Sequence, residues 1–341
     1  MKTEIGLMSL GVLAGLSGVA SPARAGHYVF TDTGISNCCS QFLTGLNDRG
    51  EVLGINDPQS GFLQTFKAKG SKGQVIGGSI ELYAISNLTN NGLAVGNSQV
   101  NTNAYIINVS SGKTTLLPAV DNLLVAPTRI NASVVVVGDA LSANGNVSHG
   151  YQYTGGKASL FDPPGSTYTL PTAINAGGEI AGSFQDARGD THGFTYTAGV
   201  FATFKVPGAV TLSVNAIDDR GRLAGAYTDA TKNTHGFLVS GGVVRKLDYP
   251  GDFGTNPASF GPGGEVLGTI VENGGSFTVH GFIYDHGKFT QIDDPSASQQ
   301  YGTALVASNA LGVLAGEYFD ANHQGHGFTA VCSTKNARCA K

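Results

Sequence analysis

The 341-residue chain has a formal charge of −4, with 13% charged residues and 50 glycines. Charge at about half its usual ~25% share, and glycine at about twice its usual ~7%, exclude a coiled coil and a charge-driven disordered chain. With no basic excess to neutralise phosphates, no nucleic-acid partner is expected. Hydrophobic residues make up 41%, enough for a substantial core, and 17 Phe with 12 Tyr stand in for the absent Trp.

The chain opens on Lys2, an apolar run from Ile5 to Ala20, and Ser-Pro-Ala-Arg-Ala at 21–25. This is the order of a secretory signal peptide, with Ala23 and Ala25 at the −3 and −1 positions of the cut. The reading divides the chain into a leader, 1–25, a single domain, 26–331, and a C-terminal tail, 332–341. It places the mature protein in the periplasm or outside a bacterial cell. No later stretch reaches about 18 apolar residues, so no membrane span is expected after cleavage.

The remainder repeats itself. His-Gly-aromatic recurs at His149, His192, His235, His280 and His326, at spacings of 43, 43, 45 and 46 residues. Degenerate copies stand at Ser60-Gly61-Phe62 and Asn103-Ala104-Tyr105. An apolar pair closed by glycine recurs at Gly54, Gly96, Gly138, Gly182, Gly225, Gly268 and Gly316, so two anchors give seven copies.

One copy, Pro171 to Gly208, reads as four antiparallel strands. They are Thr172–Ile174, Glu179–Phe184, His192–Thr197 and Val200–Val206, separated by turn residues that tolerate positive φ. Four strands per 40–50 residues is the pattern of a propeller blade. The expected fold is therefore all-β, a seven-bladed β-propeller. The last repeat lacks a fourth strand, which His27 to Thr33 can supply, closing the ring and hiding two edges.

The pattern I-N-x-x-G-x-[IVL]-[AVL]-G, a polar loop, then H-G-[FY], resembles the extracellular HAF-repeat family, named for His-Ala-Phe. The resemblance spans nearly all of 27–331, with Gly in place of the family's Ala in every intact copy. It implies a secreted bacterial protein with propeller-like repeats and carries no reaction to transfer.

In propeller geometry the loops between second and third strands share a face with the crossovers between blades. Asp186, Asp190, Asp229 and Asp320 fall on the former; Asp162, Asp248, Asp252, Asp293 and Asp294 fall on the latter. Such a face offers oxygen ligands, so a divalent cation such as Ca is conceivable although no cofactor is predicted. The five repeated histidines are expected to hold loops locally, since a residue recurring in every repeat usually serves the repeat. Arg129 breaks the pattern on an inner strand where other blades place Ala, Thr or Ser, and Tyr83, Asn215 and Asn256 sit near the equivalent positions. Arg129 suits a carboxylate or phosphate held bidentately, or else an ion pair with an acidic crossover such as Asp121. The candidate ligand-binding residues are thus Arg129, Asp186, Asp229, Asp252, Asp294 and Asp320.

No G-x-S-x-G, H-E-x-x-H or C-x-x-C occurs in the mature chain. The favoured function is a monomeric binding or scaffold module for an extracellular glycan, surface polymer or protein, met on the Asp/His face. The alternative is an extracellular hydrolase or lyase, metal-assisted or not, working at the channel mouth. Export predicts oxidised cysteines. Strand length places Cys332 and the pair Cys38-Cys39 on opposite faces, beyond disulfide reach, so Cys332 is expected to pair with Cys339.

Overall fold

The computed structural model describes residues 28–34, 40–57, 63–76, 85–98, 101–251, 253–272 and 278–333. Every regular element among them is a β-strand. Ser166–Ile174, Ile180–Asp186, Thr191–Thr197 and Val200–Phe204 form one antiparallel meander, its strands named a to d here from the axis outward. Strand a is longer than the expected Thr172–Ile174. A β-bulge between Pro171 and Ala173 accommodates the proline, and strand a is an edge strand facing the axis, where a missing N–H is tolerated.

Equivalent meanders run from Ser40–Leu46 to Lys72–Val75, from Leu124–Ile130 to Lys157–Phe161, from Thr211–Ile217 to Val243–Leu247, and from Phe253–Phe260 to Lys288–Ile292. Leu93–Asn97, Ala104–Asn108 and Thr114–Leu116 form a three-stranded sheet, with Ser86 bridging Val95 in the strand a position. Thr303–Ser308, Leu314–Phe319 and Gly325–Cys332 are completed by the N-terminal strand Tyr28–Asp32, which sets Tyr28 opposite Cys332 and Asp32 opposite Phe328.

Hydrogen bonding joins these strands into six sheets, not the seven separate four-stranded sheets expected. Four have four strands, one has three and one has eight. The eight-stranded sheet forms where a single parallel bridge, Ser148 to Tyr168, links two consecutive meanders. The result is an all-β propeller.

The two sequence anchors touch each other. Gly182, Gly225, Gly268 and Gly316 on strand b stand directly opposite Phe194, Phe237, Phe282 and Phe328 on strand c. Those four rings are fully buried. A Cβ on Gly225 would lie 2.1 Å from the Ser213 carbonyl oxygen and 2.7 Å from the Phe237 ring. Glycine therefore lets strand a bulge inward while the aromatic ring covers the gap. In the first repeat the ring opposite Gly54 is Phe66, which corrects the expected Phe62; residues 58–62 lie outside the described residues. At two copies an alanine in the glycine position of His-Gly-aromatic is crowded out for a similar reason. A Cβ on Gly150 or Gly236 would sit 2.5 or 2.4 Å from a strand d carbonyl oxygen.

Core clusters form between neighbouring meanders. Leu212, Val214 and Phe237, for example, pack with Ala173, Ala181 and Phe204 of the meander before them. Burial of this kind, at about 25 cal/mol per Å² of apolar surface, is the main force holding the ring together.

Candidate functional site

The loop face is built of clasps. His192 Nε2 lies 2.9 Å from Asp186, and His326 Nε2 lies 3.3 Å from Asp320, the carboxylate six residues before each ring. His149 and His280 use Nδ1 to reach Asp162 at 2.6 Å and Asp293 at 3.0 Å, thirteen residues later. His235 holds both, Asp229 at 3.1 Å and Asp248 at 2.9 Å. The remaining oxygen of the loop carboxylate staples its own loop. Asp186 Oδ1 accepts from the N–H groups of Arg188 and Asp190, Asp229 Oδ1 from Thr231 and Asn233, and Asp320 Oδ1 from Asn322 and Gln324. These bonds favour the ionised acid. Asp186 is lowered chiefly by His192, and Asp229 is held well below the usual range by Thr231 and then His235.

Asp294 is buried, and burial raises its pKa against the Ser296 hydrogen bonds. Asp252, Cys38, Cys39, Cys339 and Tyr83 lie outside the described residues. Cys332 ends the last strand c and is not a free thiol. Among the described residues no group of three His, Cys, Asp or Glu side chains is placed to hold a metal ion.

The opposite face carries the turns between strands a and b, and here polar groups join neighbours. Asn131 Oδ1 accepts the N–H groups of Ser133 and Val135, while its Nδ2 donates to the Asn175 carbonyl of the next meander. Asn175 repeats the arrangement toward the Asp218 carbonyl at 3.1 Å. Asn309 does so toward Asn47 at 2.9 Å, across the closure of the ring. Asp218 cannot donate, so Arg222 pairs with its carboxylate at 2.6 Å and itself donates to the Gly264 carbonyl. Where Thr89 stands in for Asn, Asn91 reaches Ala132. A second belt runs between inner strands: Ser86 to Thr128, Thr128 to Pro171, Thr172 to Val214 and Asn215 to Pro257.

These turns ring an axial cavity of 680 Å³, within the ~300–1,000 Å³ of small-ligand sites. Leu46, Ile174, Ile217, Phe260 and Val306 supply apolar wall, and Arg129 reaches into it. The residues occupying the place of Arg129 elsewhere are Gly45, Ala173, Ala216, Ser259 and Ala307, judged by the pairing with strand b on either side of each bulge. Arg129 donates from Nη1 to the Thr128 carbonyl at 2.8 Å. Among the described residues it makes no ion pair, which overturns the expected pairing with Asp121. Burial without a counter-charge lowers its pKa.

Sequence reasoning singled out Arg129, together with aspartates that lie on the opposite, loop face of the ring. It also missed Glu317 and Asp139, which occupy equivalent positions after the strand b glycine. Glu317 sits at the seam between the last meander and the first, accepting the Leu43 N–H with one oxygen and leaving Oε2 without a partner. Burial pushes it up to about 7, and Asp139 to about 6. The signal that marks both is an ionisable residue where other repeats place Ile55, Ser183, Ala226 or Thr269.

No family model matches the chain, and no curated protein matches it in sequence. Among solved structures it is similar to virginiamycin B lyase from Staphylococcus aureus in complex with quinupristin, at TM-score 0.54 and 12% identity over 89% of this chain and 99% of that one. It is similar to the β-propeller domain of the trilobed protease of Pyrococcus furiosus, at 0.57 and 9% over 88% and 100%. It is also similar to YCF48 bound to a D1 peptide, at 0.55 and 11% over 94% and 100%. One is a lyase, one a protease domain and one a peptide complex, and what the chain shares with all three is the propeller fold.

Proposed function

We propose that this protein is a secreted or periplasmic binding propeller whose ring counts seven repeats and whose ligand enters the axial cavity. The ligand is an extracellular glycan, surface polymer or protein segment. The observation that carries the reading is Arg129, a partly buried cation that makes no ion pair among the described residues and stands in the wall of a cavity of ligand size. An unpaired cation lining such a cavity is a natural anchor for an anionic group. The five repeated histidines of the other face, with Asp186, Asp229 and Asp320, are already engaged with one another and with their loops, which supports moving the site to the axis. The count of seven is supported by the turns that line the cavity, near residues 46, 88, 130, 174, 217, 260 and 308. The lyase and peptide-complex propellers support ligand binding on such a ring as a class.

A thermal-shift panel of oligosaccharides, polyanions and peptides tests this, run on the native protein, on Ala176→Trp, which fills the cavity mouth, and on Asp229→Asn. A ligand that stabilises the native protein and Asp229→Asn, but not Ala176→Trp, places binding on the axis. A ligand lost only in Asp229→Asn returns the site to the loop face. Chemical turnover of a stabilising ligand would favour the hydrolase or lyase alternative.

A further inference from the structure

We propose that the axial cavity receives the C-terminal carboxylate of an apolar peptide segment, held by Arg129; this rests on the cavity being the binding site. Three observations select the class. The first is charge. Arg222 is neutralised by Asp218 at 2.6 Å, and the other unpaired cation of the wall, Arg220, is an exposed side chain, so Arg129 is the one partly buried cation of the described wall without an ion pair. One guanidinium matches a monoanion, and its planar fork fits a carboxylate with two parallel hydrogen bonds.

The second is the mouth. Asp48 and Asp219 stand there, each accepting a backbone N–H from a neighbouring turn, Ala310 in one case and Ala176 in the other. Fixed acidic groups on the way in oppose phosphates and repeating polyuronates, which bring several charges at close spacing. A chain with a single terminal charge and no others meets the least repulsion.

The third is the wall. Leu46, Ile174, Ile217 and Val306 are aliphatic, and Phe260, the single ring in the lining, already carries the Arg222 guanidinium 5.1 Å from its centroid. Sugars are usually held on free aromatic faces and by spare hydrogen-bonding groups. Here the Asn87 oxygen accepts the Ile130 N–H and the Asn215 amide donates to Pro257, and the hydroxyls left without a partner, Ser259 and Ser308, are buried in the wall. An aliphatic wall ending in one cation is complementary to apolar side chains followed by a carboxylate.

The experiment incubates the full-length protein with two pentapeptide libraries of mixed Ala, Val, Leu and Ile, one with free C-termini and one amidated. Trigalacturonate and inorganic phosphate are the competing probes, and bound material is quantified by mass spectrometry. The free-acid library is expected to be retained roughly 10- to 100-fold over the amide, the range of a charge-assisted hydrogen-bond pair. Arg129→Gln removes that preference and Arg129→Lys retains part of it. Arg129→Gln leaves no carboxylate orphaned, so its thermal midpoint should equal or exceed that of the native protein, which separates lost binding from lost folding. Equal retention of acid and amide overturns the proposal. If trigalacturonate or phosphate binds instead, and Ala176→Trp abolishes that binding, the carboxylate-peptide proposal fails while the axial site stands. If nothing bound responds to Ala176→Trp, both fail.

Discussion

The two faces of the ring spend their polar residues differently. On the loop face each histidine closes on an aspartate of its own meander, so every clasp is local and the five are independent of one another. On the turn face each amide reaches the next meander, so the polar groups act in series and the cavity they surround is held from all sides. A binding site benefits from the second arrangement, because positions fixed by several neighbours lose less entropy when a ligand arrives.

The comparison can be broken most severely at the ring closure. Asn309→Asp keeps the oxygen that staples its turn but removes the donor to Asn47 and sets a carboxylate against a carbonyl in a buried position. A loss of about 3 kcal/mol is expected in denaturant unfolding at neutral pH. Adding Val313→Arg copies the native Asp218 and Arg222 spacing, and should recover at least about 1 kcal/mol. No recovery would mean that the Arg222 contact is incidental.

Glu317 gives an effect of nearly the same size with the opposite sign. Its folded pKa of about 7 exceeds the usual 4.5, so the folded state binds more protons than the unfolded state between these values. Stability contributed by the protonated acid is therefore lost as pH rises through that window, by about 3 kcal/mol at 1.36 kcal/mol per unit. Glu317→Gln should flatten this part of the stability profile and raise the midpoint above pH 7. A profile unchanged by the substitution would show that the acid is solvated in the folded protein.

On the loop face smaller and more local effects are expected. His235→Asn removes two carboxylate contacts and should cost about 1–2 kcal/mol. Faster hydrogen exchange should appear in residues 229–233 and not across the ring. Because Asp229 is held low in the folded state, its contribution is present above the usual carboxylate range and disappears as pH falls through its depressed value. Exchange that spreads to neighbouring meanders would contradict the independence of the clasps. The least energetic test is covalent: non-reducing peptide mapping should join Cys332 to Cys339, and a link to residues 38–39 would refute that pairing.

The repeats, the glycine and aromatic anchors and the N-terminal strand of the last meander were legible because each is a local pattern with one physical use. Gly225 and Phe237 lie twelve residues apart in sequence yet face each other, and a hairpin read at period two brings them together. The inner strands were harder. A bulge at Thr128, Thr172 or Asn215 shifts the alternation by one residue, so counting along the strand no longer tells which side chain meets the axis. The clasps were legible in part. The histidines were expected to hold their loops and do so, while Asp186, Asp229 and Asp320, also counted as candidate ligands, turn out to be their partners. Asp121 failed as a partner for Arg129 because charge balance along a sequence carries no information about direction across a ring.

The belt of turns also has a sense of rotation. From Asn309 to Asn47, from Asn131 to Asn175 and from Asn175 to Asp218, the donor always belongs to the earlier repeat in ring order and the acceptor to the next. Joints that share this direction do not depend on where the chain starts. Because Tyr28 lies opposite Cys332, a chain rejoined there and opened in a loop such as 229–233 would rebuild the same joints in the same order, making circular permutants of this protein a natural format for displaying its cavity.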